Sequence, residues 1–180
     1  IERGARTDID DQDGRSVLFV AAREKHESLA EYLLGLDGDL ARRKSVHGVA
    51  PLHLAAGRGL AKTTELLLQY GAEADPRDGK TITPLYYAAQ NGYQAVVALL
   101  LDAGADIAMR KANGQTVLFQ SALKGDVPML QQLVAAGADV NGKCNKDDSP
   151  LHYAVYEGHC EAVEYLIDAG ADFEARNNND

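Results

Sequence analysis

Residues 83–107 read TPLYYAAQNGYQAVVALLLDAGADI, and this stretch decides the fold. Thr83 stands before Pro84, the arrangement of a helix start, where a hydroxyl caps free backbone N–H groups and proline is tolerated in the first turn. A short apolar run leads to a turn at Gly92. A second run, Ala95–Leu101, leads to Gly104, which suits the left-handed residue closing a helix. Two short helices back to back are therefore expected. One such pair cannot bury its apolar face alone, so it needs neighbours of its own kind.

Those neighbours are in the chain. SVLFVAA, APLHLAA, TPLYYAA, TVLFQSA and SPLHYAV open five successive units, and their leucines Leu18, Leu52, Leu85, Leu118 and Leu151 lie 34, 33, 33 and 33 residues apart. One extra residue before His47 accounts for the single 34. Ser16, Thr116 and Ser149 repeat the capping hydroxyl, while Ala50 lacks it, so the second unit should start its helix less firmly. Gly59, Gly125 and Gly158 mark further inter-helix turns. Lys25 takes that place in the first unit, at a cost of about 1 kcal/mol if its φ is positive. Helix ends recur as LLLQYGAEAD, LLLDAGADIA, QLVAAGADVN and YLIDAGADFE, with Gly71, Gly137 and Gly170 matching Gly104, and more weakly as LLGLDGDLA. Leu29, Leu33, Val96, Leu100, Leu133, Val163 and Leu166 are the expected contacts between units.

A 33-residue period with a TPLHxAA-like opening, a central glycine and a GADVN-like close resembles the ankyrin repeat, over nearly the whole chain. The resemblance implies an all-α repeat solenoid of helix-turn-helix units joined by β-hairpin fingers. It divides a single domain into repeats at 11–44, 45–77, 78–110, 111–143 and 144–176, with residues 1–10 as the tail of a preceding repeat and 177–180 as the start of a following one. Neither terminal unit has the consistently polar outer helix of a cap, and the chain lacks an initial Met and a signal peptide. The array is therefore expected to continue within a larger protein.

Composition narrows the function. The chain has 180 residues, 46% hydrophobic and 25% charged, with 18 Lys and Arg against 27 Asp and Glu, a net charge of −9. That balance disfavours nucleic-acid binding by the whole surface, because phosphate neutralisation needs a positive field, yet it leaves room for a local basic face. Two cysteines and no Asn-x-Ser/Thr site fit a reducing, intracellular setting, cytoplasmic or nuclear. The run Ala95–Leu101 is far too short to cross a bilayer.

The histidines do not point to chemistry. His53 and His152 belong to the TPLH-like motif, and His26 and His159 start second helices; His47, near a fingertip, remains for contact. Cys144, His152, His159 and Cys160 have no zinc spacing. No nucleophile-base arrangement or phosphate loop is recognisable. Neither a cofactor nor catalysis is expected.

The resemblance implies instead a protein-protein interaction module that uses fingertips and inner helices as a concave face. The fingers offer Gln12, Asp13, Arg15; Val46, His47, Val49; Gly79, Lys80, Ile82; Ala112, Asn113, Gln115; and Asn145, Lys146, Asp148. The inner helices offer Arg23, Glu24; Gly57, Arg58; Gln90, Asn91; Leu123, Lys124; and Tyr156, Glu157. Arg43, Arg77, Arg110, Lys143 and Arg176 close the units. This set holds 11 of the 18 basic residues and four of the 27 acidic ones, which favours an acidic or phosphorylated protein or peptide as partner. Val46, Val49 and Ile82, or Leu123 and Tyr156, are the expected apolar anchors. Asn141 resembles the asparagines modified by an asparaginyl hydroxylase; its other reading is a turn-stabilising residue. Two alternatives stand beside the partner-binding monomer: docking in cis on an enzyme or channel of the parent chain, and nucleic-acid or phosphate binding by the basic face.

Overall fold

The structure, a computed structural model, describes residues 9–178. The tail assigned to residues 1–10 lies largely outside the described residues, as does the end of the unit begun at 177. Five helix pairs are described: α1 (Val17–Arg23) with α2 (Glu27–Leu36), α3 (Pro51–Arg58) with α4 (Ala61–Gln69), α5 (Pro84–Gln90) with α6 (Gln94–Asp102), α7 (Val117–Lys124) with α8 (Val127–Ala135), and α9 (Pro150–Tyr156) with α10 (Cys160–Asp168). The first helices of the pairs stack in chain order as one layer. In the second layer α2 packs on α4, α4 on α6, and α8 on α10.

The layers meet over the repeated leucines. Leu18, Leu52, Leu85 and Leu118 are buried from the first layer, and Leu67, Leu100, Leu133 and Leu166 from the second. Each contributes roughly 1.5–3 kcal/mol relative to an exposed leucine. Val96 is buried as expected, while Leu33 and Val163 are half-buried. Leu29 corrects the expectation, being 46% exposed. On α2 it is Ala30 and Leu34 that turn to the core, and among the described residues its second-layer partner is α4.

The extra residue of the first unit lies at the end of α2, which has ten residues where the other four second helices have nine. Gly38 consequently does not take the left-handed conformation of Gly71 or Gly104. Asp37 breaks the helix in an extended conformation, and its carboxylate accepts the Asp39 N–H at 3.0 Å to start a 3-10 turn, Gly38–Arg42.

Ser16, Thr83 and Ser149 cap as expected, accepting the N–H groups of Phe19, Tyr86 and His152. Thr116 makes no such bond. Ala50 has no such cap; His53 Nδ1 accepts the Ala50 N–H at 3.0 Å, the bond that His152 makes to Ser149 in addition to the hydroxyl cap. Lys25 has φ +62° in the turn that glycine makes in the other four pairs.

The fingers differ from expectation. No strand forms among the described residues; there is one isolated bridge, Asp10 with Ser16. Each finger is a five-residue turn closed by two bonds: Ser45 N–H to Val49 O and Gly48 N–H to Ser45 O in the second, with counterparts at Asp11–Arg15, Asp78–Ile82, Lys111–Gln115 and Cys144–Asp148. So few residues cannot extend into a ladder. The fourth residue of each turn is left-handed: Gly14, Gly48, Thr81, Gly114 and Asp147. Neighbouring fingers are tied by Val46 N–H to Asp13 O, Gly79 N–H to His47 O and Asn145 N–H to Asn113 O. No such backbone bond joins Lys80 to Ala112 among the described residues.

Candidate partner surface

The motif histidine shows how a finger is held against the helices. With Nδ1 accepting from Ala50, the other ring nitrogen of neutral His53 carries the proton and donates to Ile82 O at 3.1 Å, in the next finger. Burial lowers the His53 pKa, favouring this neutral tautomer. His152 repeats the local half of the arrangement, its Nδ1 accepting the Ser149 N–H at 3.2 Å. His159, at the start of α10, reaches back to Leu123 O at 3.0 Å. His47 is exposed, and its carbonyl takes the Gly79 bond.

The expected contact residues divide into those that remain available and those already engaged. Val46 is 67% exposed; Lys80, Asn91 and Asn113 are also exposed. Ile82 and Val49 stand at finger bases rather than tips and are half-buried, Ile82 packed against the core, so they are poor candidates for protruding anchors. Leu123 and Gln90 are half-buried on their helices. Tyr156 is 60% exposed, with its hydroxyl on Asp148 at 3.3 Å and on Asn177 at 2.7 Å.

Four of the five closing basic residues are spent on the scaffold. Arg43 pairs with Asp10 at 3.0 Å, and Arg77 turns to the Met109 sulfur at 2.8 Å. Arg110 donates to Gly114 O and Lys143 O, and Lys143 donates to Arg176 O. Among the inner-helix cations, Arg23 pairs with Glu24 at 2.7 Å and Lys124 donates to Gln90 O. Asp11, Asp78 and Asp147 also lie in the finger turns, offsetting Arg15, Lys80 and Lys146. The positive character of this face is thus smaller than residue counting gives. Arg58 is exposed and has no side-chain bond among the described residues.

Arg58 borders a groove of about 350 Å³. Finger 2 supplies Val49; α1, α3 and α5 supply Phe19, His53, Leu54, Gly57 and Tyr87, and Asn91 closes α5 beside them. The Tyr87 hydroxyl donates to Asp78 at 2.8 Å, and burial together with that bond pushes its pKa up to about 12. Phe19, Leu54 and Tyr87 were not among the expected contacts. They fall one or two places after the repeat leucine, where the pattern marks core, and only the stacking of three units turns their edges into one lining.

Asn141 is exposed, but both ends of its amide are used: Nδ2 donates to Gly170 O at 3.0 Å and Oδ1 accepts the Asp172 N–H at 2.8 Å. No cluster of three metal-binding side chains occurs among the described residues, and none of their helices is long and apolar enough to cross a membrane.

A family model described as ankyrin repeats (3 copies) matches residues 38–111 and 85–177. The chain is also similar to two curated proteins. It is 35% identical over 87 residues to a putative ankyrin repeat protein of Rickettsia bellii (strain RML369-C), across 43% of this chain and 24% of that protein. It is 33% identical over 69 residues to the glycerophosphocholine phosphodiesterase GDE1 of Candida albicans (strain SC5314 / ATCC MYA-2876), across 38% of this chain and 6% of that protein. The chain thus spans less than a quarter of the length of either relative.

Proposed function

Because this chain belongs to the ankyrin-repeat family, whose arrays generally mediate protein-protein interaction and are typically non-catalytic, we propose that it holds a protein or peptide, acidic or phosphorylated, on a concave face made by the fingers and first helices. The observation that carries this reading is the groove beside Arg58, lined from one finger and three successive first helices. A preformed apolar lining next to a cation that makes no ion pair among the described residues suits recognition in which the charge sets approach and register and the apolar contact supplies affinity. We place the array in an intracellular setting as a monomeric part of a larger protein; the unpaired thiols Cys144 and Cys160 support the reducing compartment.

A second reading, docking in cis on an enzyme of the parent chain, is supported by the likeness to a short stretch of a phosphodiesterase. Photo-crosslinking separates surface from surface. With Arg58 left in place, a photoreactive residue at Val46, on the finger that supplies Val49, should give discrete adducts in lysate, and one at Glu65 on α4 should not. Phosphatase treatment that abolishes the adducts identifies a phosphorylated partner; adducts from position 65 alone would move recognition to the opposite side.

A further inference from the structure

Five residues after the repeat leucine stand Arg23, Gln90, Leu123 and Tyr156 in four of the units, and Gly57 in the second. Nothing in the backbone asks for glycine here. Gly57 lies inside α3 and its φ is not in the left-handed region. A helical glycine costs about 0.5–1 kcal/mol relative to alanine. A Cβ at this position would meet the Tyr87 Cβ at 3.5 Å, an ordinary van der Waals contact, so sterics admit the Cβ that glycine lacks. Its absence leaves open the floor of the groove between Leu54, Tyr87 and Val49.

The groove has the chemistry of a side-chain pocket with a polar rim. At about 350 Å³ it lies at the small end of ligand sites, which run from about 300 to 1,000 Å³. That is space for one large apolar side chain. Arg58 makes no ion pair or hydrogen bond among the described residues; its charge helps to lower the Glu24 pKa, but Glu24 itself is bonded to Arg23 at 2.7 Å. A guanidinium at such a rim matches a carboxylate in two-pronged geometry. Asn91 donates to Gly57 O at 3.2 Å and Tyr87 O at 2.9 Å, while its amide oxygen accepts nothing from the described residues and can take a peptide N–H. Building on the partner-surface reading above, the geometry points to a linear-peptide site that takes one leucine- or phenylalanine-sized side chain into the groove and an Asp or Glu, one or two residues away, onto Arg58.

The test uses the 180-residue chain on an array of randomised acetylated octapeptides, followed by fluorescence anisotropy with the strongest one. Selected peptides should share a large apolar residue within two places of Asp or Glu. Gly57→Gln, which installs the side chain of the third repeat, should weaken binding tenfold or more without lowering Tm, since glutamine is the better helix former. Arg58→Glu should switch the preferred neighbour from acidic to basic. An affinity for Gly57→Gln within twofold of wild type, an array without binders, or a stronger response to phosphoserine than to Asp or Glu would overturn the assignment. Peptides that ignore Gly57→Gln but are lost on Arg23→Glu or Lys124→Glu leave the face standing and remove the groove. Peptides indifferent to every one of these changes remove the face as well.

Discussion

The Asp75 carboxylate accepts the backbone N–H of Asp106 at 2.7 Å, joining the close of one repeat to the close of the next. Asn141, at the equivalent place two repeats on, accepts the Asp172 N–H at 2.8 Å and also donates to Gly170 O. Asp75 has no donor to offer the equivalent carbonyl of Gly104. Its second oxygen is buried without a partner, and burial is the main reason its pKa is raised.

Asp75→Asn should therefore stabilise the array, by about 1 kcal/mol for the added hydrogen bond. Since folding raises the carboxyl pKa, the native state holds the proton more tightly, and wild-type stability falls as pH rises above the unfolded value of about 3.9. The gain from asparagine should be full at neutral pH and shrink toward pH 4. Melting curves of both proteins across that range check it; a gain independent of pH would contradict the account.

His53 should make the fold sensitive in the opposite direction. Its pKa is lowered, chiefly by burial, so the unfolded chain binds the proton more tightly. Its stabilising contribution is complete above the unfolded value of about 6.5 and is lost as pH falls below it. Protonation would also place a second donor against the Ala50 N–H. Between about pH 7.5 and 5 wild type should lose more stability than His53→Gln, although the variant starts lower by about 1–3 kcal/mol. Nitrogen-correlated NMR of the ring should show the Nε2–H tautomer at neutral pH.

Thr81 and Lys25 occupy left-handed backbone, with φ +62° at each. A β-branched side chain is the worse fit there, and the Thr81 hydroxyl is buried without a partner. Thr81→Gly should gain about 1 kcal/mol and Lys25→Gly less, the relief of strain being offset by glycine's freedom in the unfolded chain. Denaturant midpoints of the two variants give the ranking directly.

Thr64 is wholly buried on α4, and its hydroxyl has no partner. The same place holds Val97 in the third repeat and Leu130 in the fourth, both wholly buried. Thr64→Val should stabilise by about 1 kcal/mol by removing a desolvated polar group while keeping the shape. A lower midpoint for the variant would show that the hydroxyl is satisfied in solution.

The sequence by itself determined the repeat and the conformation at its turns. A fixed leucine spacing with helix-starting hydroxyls and closing glycines leaves few alternatives to stacked helix pairs, and the same register predicted the strained Lys25. Thr81 was legible too, because it stands where Gly14, Gly48 and Gly114 stand in other fingers. The tertiary structure decided what repeat position alone could not, since availability depends on neighbours brought in from the next unit. Arg110 and Lys143 are charged in any reading, yet only stacking presents the following carbonyls that engage them. Ile82 reads as a fingertip residue until the finger folds back against the core, and Leu29 reads as inter-repeat contact until the helix turns Ala30 and Leu34 inward in its stead. The groove is the clearest case. It arises from a side chain missing at Gly57 and from walls contributed by α1, α3, α5 and one finger, and an absence bounded by distant segments has no local signature in a chain.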